Sequence, residues 1–148
     1  MSTSLGKSFP EEYRIKFCQE HLIPGAVLRI KSTYTKPQKI KRCVIIALKE
    51  ETISLALCYV NTNKPSSPYL QKGQFALSSK GRSYLDHDSF LDCAQLYEEN
   101  LEVIRHMMIN DIGIHLGQMS KEDFRKAKNL VVSAKSIPIK LKKKYGLI

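Results

Sequence analysis

Apolar residues along this chain gather in two patterns. Between Ala26 and Cys93 they stand in short blocks of strand length divided by polar, turn-forming stretches, whereas from Glu98 onward they recur at three- and four-residue spacing. The first pattern predicts strands at Ala26–Ile30, Cys43–Leu48, Ile53–Val60, Gln74–Leu77 and Ser89–Cys93. Lys49-Glu50-Glu51 forms the turn of a hairpin, the polar stretch from Lys31 to Lys41 forms a loop, and Asn61–Pro68 forms another. Five strands in about seventy residues suggest a small barrel.

Helices flank this β-rich centre. Pro10, Glu11 and Glu12 open a segment reaching Leu22 in which Tyr13, Phe17 and Cys18 share a face, and Pro24-Gly25 ends it. Leu101, Ile104, Met107 and Met108 mark one face of a helix from Glu98 to Ile109. Ser120 caps another, with Asp123 at its third position and Phe124, Ala127, Leu130, Val131 and Ala134 as the buried stripe. That helix stops before Pro138. The expected class is α+β, mainly β, a small antiparallel barrel with peripheral helices.

With 148 residues the chain has room for one ordinary core. Residues 1–22 read as a helical N-terminal extension, 23–134 as the barrel domain and 135–148 as a Lys-rich tail, either a phosphate-contacting arm or a free end. No signal peptide or membrane-crossing run is apparent, which suggests a cytoplasmic protein with no membrane partner. Cys18, Cys43, Cys58 and Cys93 have neither zinc nor dithiol spacing and read as free thiols, three of them inside apolar strings. His21, His87, His106 and His115 show no metal spacing, so neither a metal nor another cofactor is expected.

Charge changes the picture. Lys and Arg number 24 against 14 acids, a net +10 that favours polyanionic partners. From Arg29 to Lys49 there are seven basic residues and no acid, while Asp86, Asp88, Asp92, Glu98, Glu99 and Glu102 follow without Lys or Arg between them. Glycine-rich phosphate loops, Gly-x-Ser-x-Gly and His-Glu-x-x-His are all missing. What remains is Gln38-Lys39-Ile40-Lys41-Arg42 entering one strand and Asn61-Thr62 leaving the next. An Arg rooted at a strand start can donate two hydrogen bonds to a phosphate while a nearby hydroxyl or amide positions the attacking group. The plainer reading of Arg42 is a solubilising charge beside a strand. His87, between two aspartates, is an acid/base candidate whose neighbours point away if the segment is extended.

The order of these pieces resembles the MazF/PemK/Kid family of small toxin ribonucleases. Pro24-Gly25-Ala26-Val27-Leu28 looks like its opening strand, and Gln38 to Ile46 is similar to its Gln-x-Gly-x-Arg-Pro-x-Leu-Val-Ile element. Leu85 to Gln95 looks like its Leu-x-x-Asp-Ser segment, and Ile112 to Ala134 resembles its closing helix. The resemblance implies an SH3-like barrel, usually a homodimer, that cuts single-stranded RNA without metal by attack of a ribose 2′-hydroxyl and is restrained by an antitoxin protein. Arg42 would then stabilise the charged phosphoryl group, and Thr62 or, one position earlier, Asn61 would position the nucleophile. Lys36, Gln38, Lys39 and Lys41 would hold the RNA. Where some members carry Arg and Asp around the cysteine of the later strand, this chain has Asp92 and Ala94. A non-catalytic barrel that binds RNA or a protein through the same groove is the competing expectation.

Overall fold

Cys43–Leu48, an unbroken apolar run, is the spine of the sheet in the computed structural model, which describes residues 5–148. Residues 1–4, where the reading of a leaderless N-terminus begins, lie outside the described residues. In chain order the elements are α1 (Glu11–His21), β1 (Ala26–Lys31), β2 (Ile40–Lys49), β3 (Ser54–Asn61), α2 (Pro68–Gln71), β4 (Gln74–Leu77), β5 (Ser89–Asp92), β6 (Tyr97–Asn100), α3 (Leu101–Asn110), β7 (His115–Gln118), α4 (Lys121–Ser133) and α5 (Ile139–Lys144). The strands run in the order β4-β5-β3-β2-β1-β7, with β6 also paired to β3, and every pairing is antiparallel. The sheet curls into a half-barrel with helices around it, the expected α+β, mainly β architecture.

Alternation along the strands builds a core on each face. Leu28, Ile30, Cys43, Ile45, Leu55, Leu57 and Tyr59 pack under Cys18 and Leu22 at the N-terminus and Leu101, Ile104 and Met108 of α3. On the opposite face Val27, Val44, Ile46, Cys58 and Leu91 pack under Ala127 and Val131 of α4 and Ile137 beyond it. A bulge between Ile45 and Ala47 bends β2 against β3 and strengthens the curl. All four cysteines are buried free thiols.

Several boundaries differ from the sequence expectation. β2 begins at Ile40, so Lys41 belongs to a strand, and the loop shrinks to residues 32–39. Ile53 is the last residue of the β2–β3 turn, at φ +50 with its amide bonded to the Glu50 carbonyl, and β3 starts one residue later. Glu98 and Glu99 lie in β6 opposite Ala56 and Leu55, because Asn100 caps α3 by accepting from the Val103 amide. With β7, that makes seven strands rather than five. Tyr13 is nearly half exposed and stacks on Phe9, so Phe17 and Cys18 alone of the expected α1 face meet the core.

The C-terminal end of the chain is folded. α4 closes at Ser133, with the Ser120 hydroxyl accepting from the Asp123 amide at its start, and α5 follows Pro138. Lys142 is buried and donates to the Val132 and Ala134 carbonyls at 2.8 and 2.7 Å, satisfying the open end of α4. Lys144 and Tyr145 both bond the Glu98 carboxylate of β6. Among the described residues no helix is long and apolar enough to cross a membrane.

Candidate functional site

β2 enters the sheet at Ile40 and β3 leaves it at Asn61, and a cleft of about 320 Å³ opens across these strand ends. Lys39, Lys41, Arg42, Asn61 and Thr62 all line it, together with Asp86 and His87 from the segment before β5. Five of the seven residues singled out in the sequence therefore meet at one cavity. Lys36 and Gln38 do not line it and stand exposed on the preceding loop.

That loop is anchored. The Ser32 amide donates to the Lys39 carbonyl at 2.8 Å, its hydroxyl to the buried Tyr59 hydroxyl at 2.9 Å, and the Thr35 hydroxyl accepts from the Lys39 amide at 2.9 Å. Thr33 reaches the Glu99 carboxylate and Tyr34 the Glu98 carbonyl, so the positive loop is tied down on β6 as well.

Strand alternation separates the cleft residues. Arg42 lies opposite Arg29 on the face that carries Val27 and Val44, whereas Lys41 shares the other face with Cys43 and Tyr59. The Lys41 ammonium sits 2.5 Å from the Asn61 side-chain oxygen and 5.2 Å from the centre of the Tyr59 ring. Partial burial, and then the neighbouring Lys39 charge, lower its pKa. Asn61 is thus engaged with Lys41 on that face, while Val60 packs into the core on the Arg42 side and Thr62, the next position of the same parity, lines the cleft.

Arg42 donates through Nη2 to Asp86 Oδ2 at 2.7 Å, and its Nε is buried without a partner. Asp86 is held in place by the segment around it: Tyr84 and Leu85 are buried in the second core, and Arg82 makes two bonds of 2.9 and 3.0 Å to Asp123 of α4. The segment is not extended, since β5 starts only at Ser89, so the three residues diverge. Asp86 turns to Arg42 and Asp88 accepts from the Ser79 amide and hydroxyl, which hold its carboxyl below the usual range, while His87 lines the cleft. The imidazole Nδ1 lies 2.9 Å from the Asp88 carbonyl. The sequence pointed to Arg42 but gave no sign of its partner Asp86, forty-four residues away and outside any regular element.

Asp92 and Ala94 have structural employment. Asp92 accepts from the Gln74 side chain at 2.8 Å and the Ala94 amide at 3.1 Å. Ala94 is buried against Gly73, where an added Cβ would come within 2.6 Å of the Ala94 methyl, so position 73 has no room for a side chain. Among the described residues no group of three or more His, Cys, Asp or Glu side chains is placed to hold a metal ion. No family model matches the chain, and no curated protein does.

Proposed function

We propose that this protein is a toxin-type endoribonuclease that cleaves single-stranded RNA without a metal ion. The observation that carries the proposal is the meeting of Arg42, Thr62 and His87 in one cleft whose rim is supplied by Lys39 and Lys41. In this reading the scissile phosphate displaces Asp86 from Arg42, whose guanidinium then faces the charge that builds on the phosphoryl oxygens. Thr62 orients the ribose 2′-hydroxyl, His87 takes its proton, and the new bond to phosphorus expels the 5′-oxygen, which is protonated by water. The products are a cyclic phosphate and a free 5′-hydroxyl end. The family resemblance adds a cytoplasmic homodimer and an antitoxin; an acidic, partly disordered antitoxin suits a +10 surface.

Incubation of the purified protein with a long single-stranded RNA in the presence of a chelator, beside Arg42→Ala, tests the proposal. The wild type should generate new 5′-hydroxyl ends, and the variant should do so about a hundredfold more slowly, the effect of roughly 3 kcal/mol of lost transition-state stabilisation. Equal, negligible cutting by both would remove the enzyme.

A second reading is a non-catalytic barrel that binds RNA or a protein partner through the same cleft. It is favoured by the commitment of Asp92 Oδ1 to Gln74 and the Ala94 amide, which gives that carboxylate a structural role away from Arg42. Salt-dependent RNA binding without new ends would support it.

A further inference from the structure

The register of β1 against β2 sets Arg29 directly opposite Arg42 and Lys31 opposite Ile40, so all four side chains project from one face of the sheet. Two like charges facing each other across a strand pair repel, and here only Arg42 has a counter-charge, Asp86. Arg29 and Lys31 are exposed and, among the described residues, make no ion pair. Ile40 stands across from Lys31, 61% exposed although it is a strand residue.

A second cleft of about 370 Å³ lies beside β1, lined by Arg29, Lys31, Ile40, Asp111 and Gly113 among others. Ile40 lines this cleft and the Arg42 cleft alike, so the two adjoin across its side chain. The acid in the second cleft, Asp111, has an oxygen on the Gly113 amide at 2.9 Å. Cations at Arg42, at Arg29 across the strand pair, and at Lys31 about 7 Å further along β1 mark three corners of a four-sided patch whose fourth corner is the exposed Ile40.

We propose that Arg29 and Lys31 form a second nucleotide subsite, so that a single RNA strand passes from the Arg42 cleft over Ile40 onto β1. This rests on the reading of the Arg42 cleft as an RNA site and assigns it a direction. A phosphate adjoining the scissile one meets Arg29, the following one meets Lys31, and a base lies against Ile40. A polyanionic strand supplies in one ligand what the face lacks, counter-charges for its unpaired cations and cover for the exposed isoleucine.

Binding of labelled 2′-O-methyl oligonucleotides, which lack the attacking hydroxyl, tests the subsite. The wild type should bind a hexanucleotide at least tenfold more tightly than a dinucleotide, and Arg29→Gln/Lys31→Gln should abolish that advantage while leaving dinucleotide binding in place. The logarithmic salt slope for the hexanucleotide should fall by about 1.4, two contacts on a single strand. If the double variant keeps both the length advantage and the slope, the subsite is wrong and the Arg42 cleft can still be an RNA site. If the wild type binds neither oligonucleotide, the RNA reading fails and the subsite with it. Both substituted residues are exposed, and an unchanged urea midpoint of the variant separates lost binding from lost folding.

Discussion

Thr62 and Asn61 are neighbours in the chain and line one cleft, but Asn61 ends β3 and Thr62 lies just beyond it, and in the proposed nuclease that difference separates their roles. Asn61 holds the Lys41 ammonium on the face of Tyr59, while Thr62 lines the cleft that also holds Arg42. Thr62→Val keeps the volume and removes the hydroxyl. It should slow RNA cleavage by roughly tenfold or more, as expected for a lost hydrogen bond to a charged reacting group, whereas Asn61→Ala should weaken RNA binding with little change in the rate of the bound complex. Single-turnover cleavage of one labelled RNA by both variants separates the two effects. From sequence alone the choice was open, because it turns on where β3 ends and a slip of one residue exchanges the faces. Arg42 was legible as an arginine rooted at a strand start; Asp86 was not, because a distant, irregular segment carries it there, fastened by the Arg82–Asp123 pair.

At the level of elements, apolar blocks marked the five strands they formed, since each buries at least one face in a core. β6 escaped notice for a local reason. Its sequence Tyr97-Glu98-Glu99-Asn100 is mostly polar and joins the sheet through backbone pairing to β3, while its acids bind Thr33, Lys144 and Tyr145. The lysine-rich terminus misled in the opposite sense: charge suggested a free arm, yet one lysine is buried and closes α4. Lys142→Met should preserve the aliphatic stem and strand two carbonyls, at a cost of about 2 kcal/mol, read as a lower urea midpoint in circular dichroism. Lys143→Met, at an exposed position of the same helix, should leave the midpoint nearly unchanged.

Across the whole molecule, the N-terminal helix is fastened by aromatic contacts as well as by the core. His21 stacks on Phe17, and His115 of β7 stands edge-on to both, with ring centres 5.5 Å from Phe17 and 5.2 Å from His21. Burial first, and His21 second, push the His115 pKa below its usual 6.5. The unfolded chain therefore takes up the proton more readily, so this contribution to stability is complete above pH 6.5 and declines as the pH falls through the folded-state value. Urea midpoints should drop as the pH falls below about 6.5, and His115→Gln should flatten that dependence. Placement of all four sulfur atoms in the interior has its own consequence. Cys18 and Cys43 belong to one packed layer and Cys58 and Cys93 to the other, and burial drives the Cys43 thiol up to about 12. An alkylating reagent thus has no ready thiolate to attack at Cys43 in the closed molecule, and the order in which the cysteines become labelled is a clock that times the parting of each layer separately.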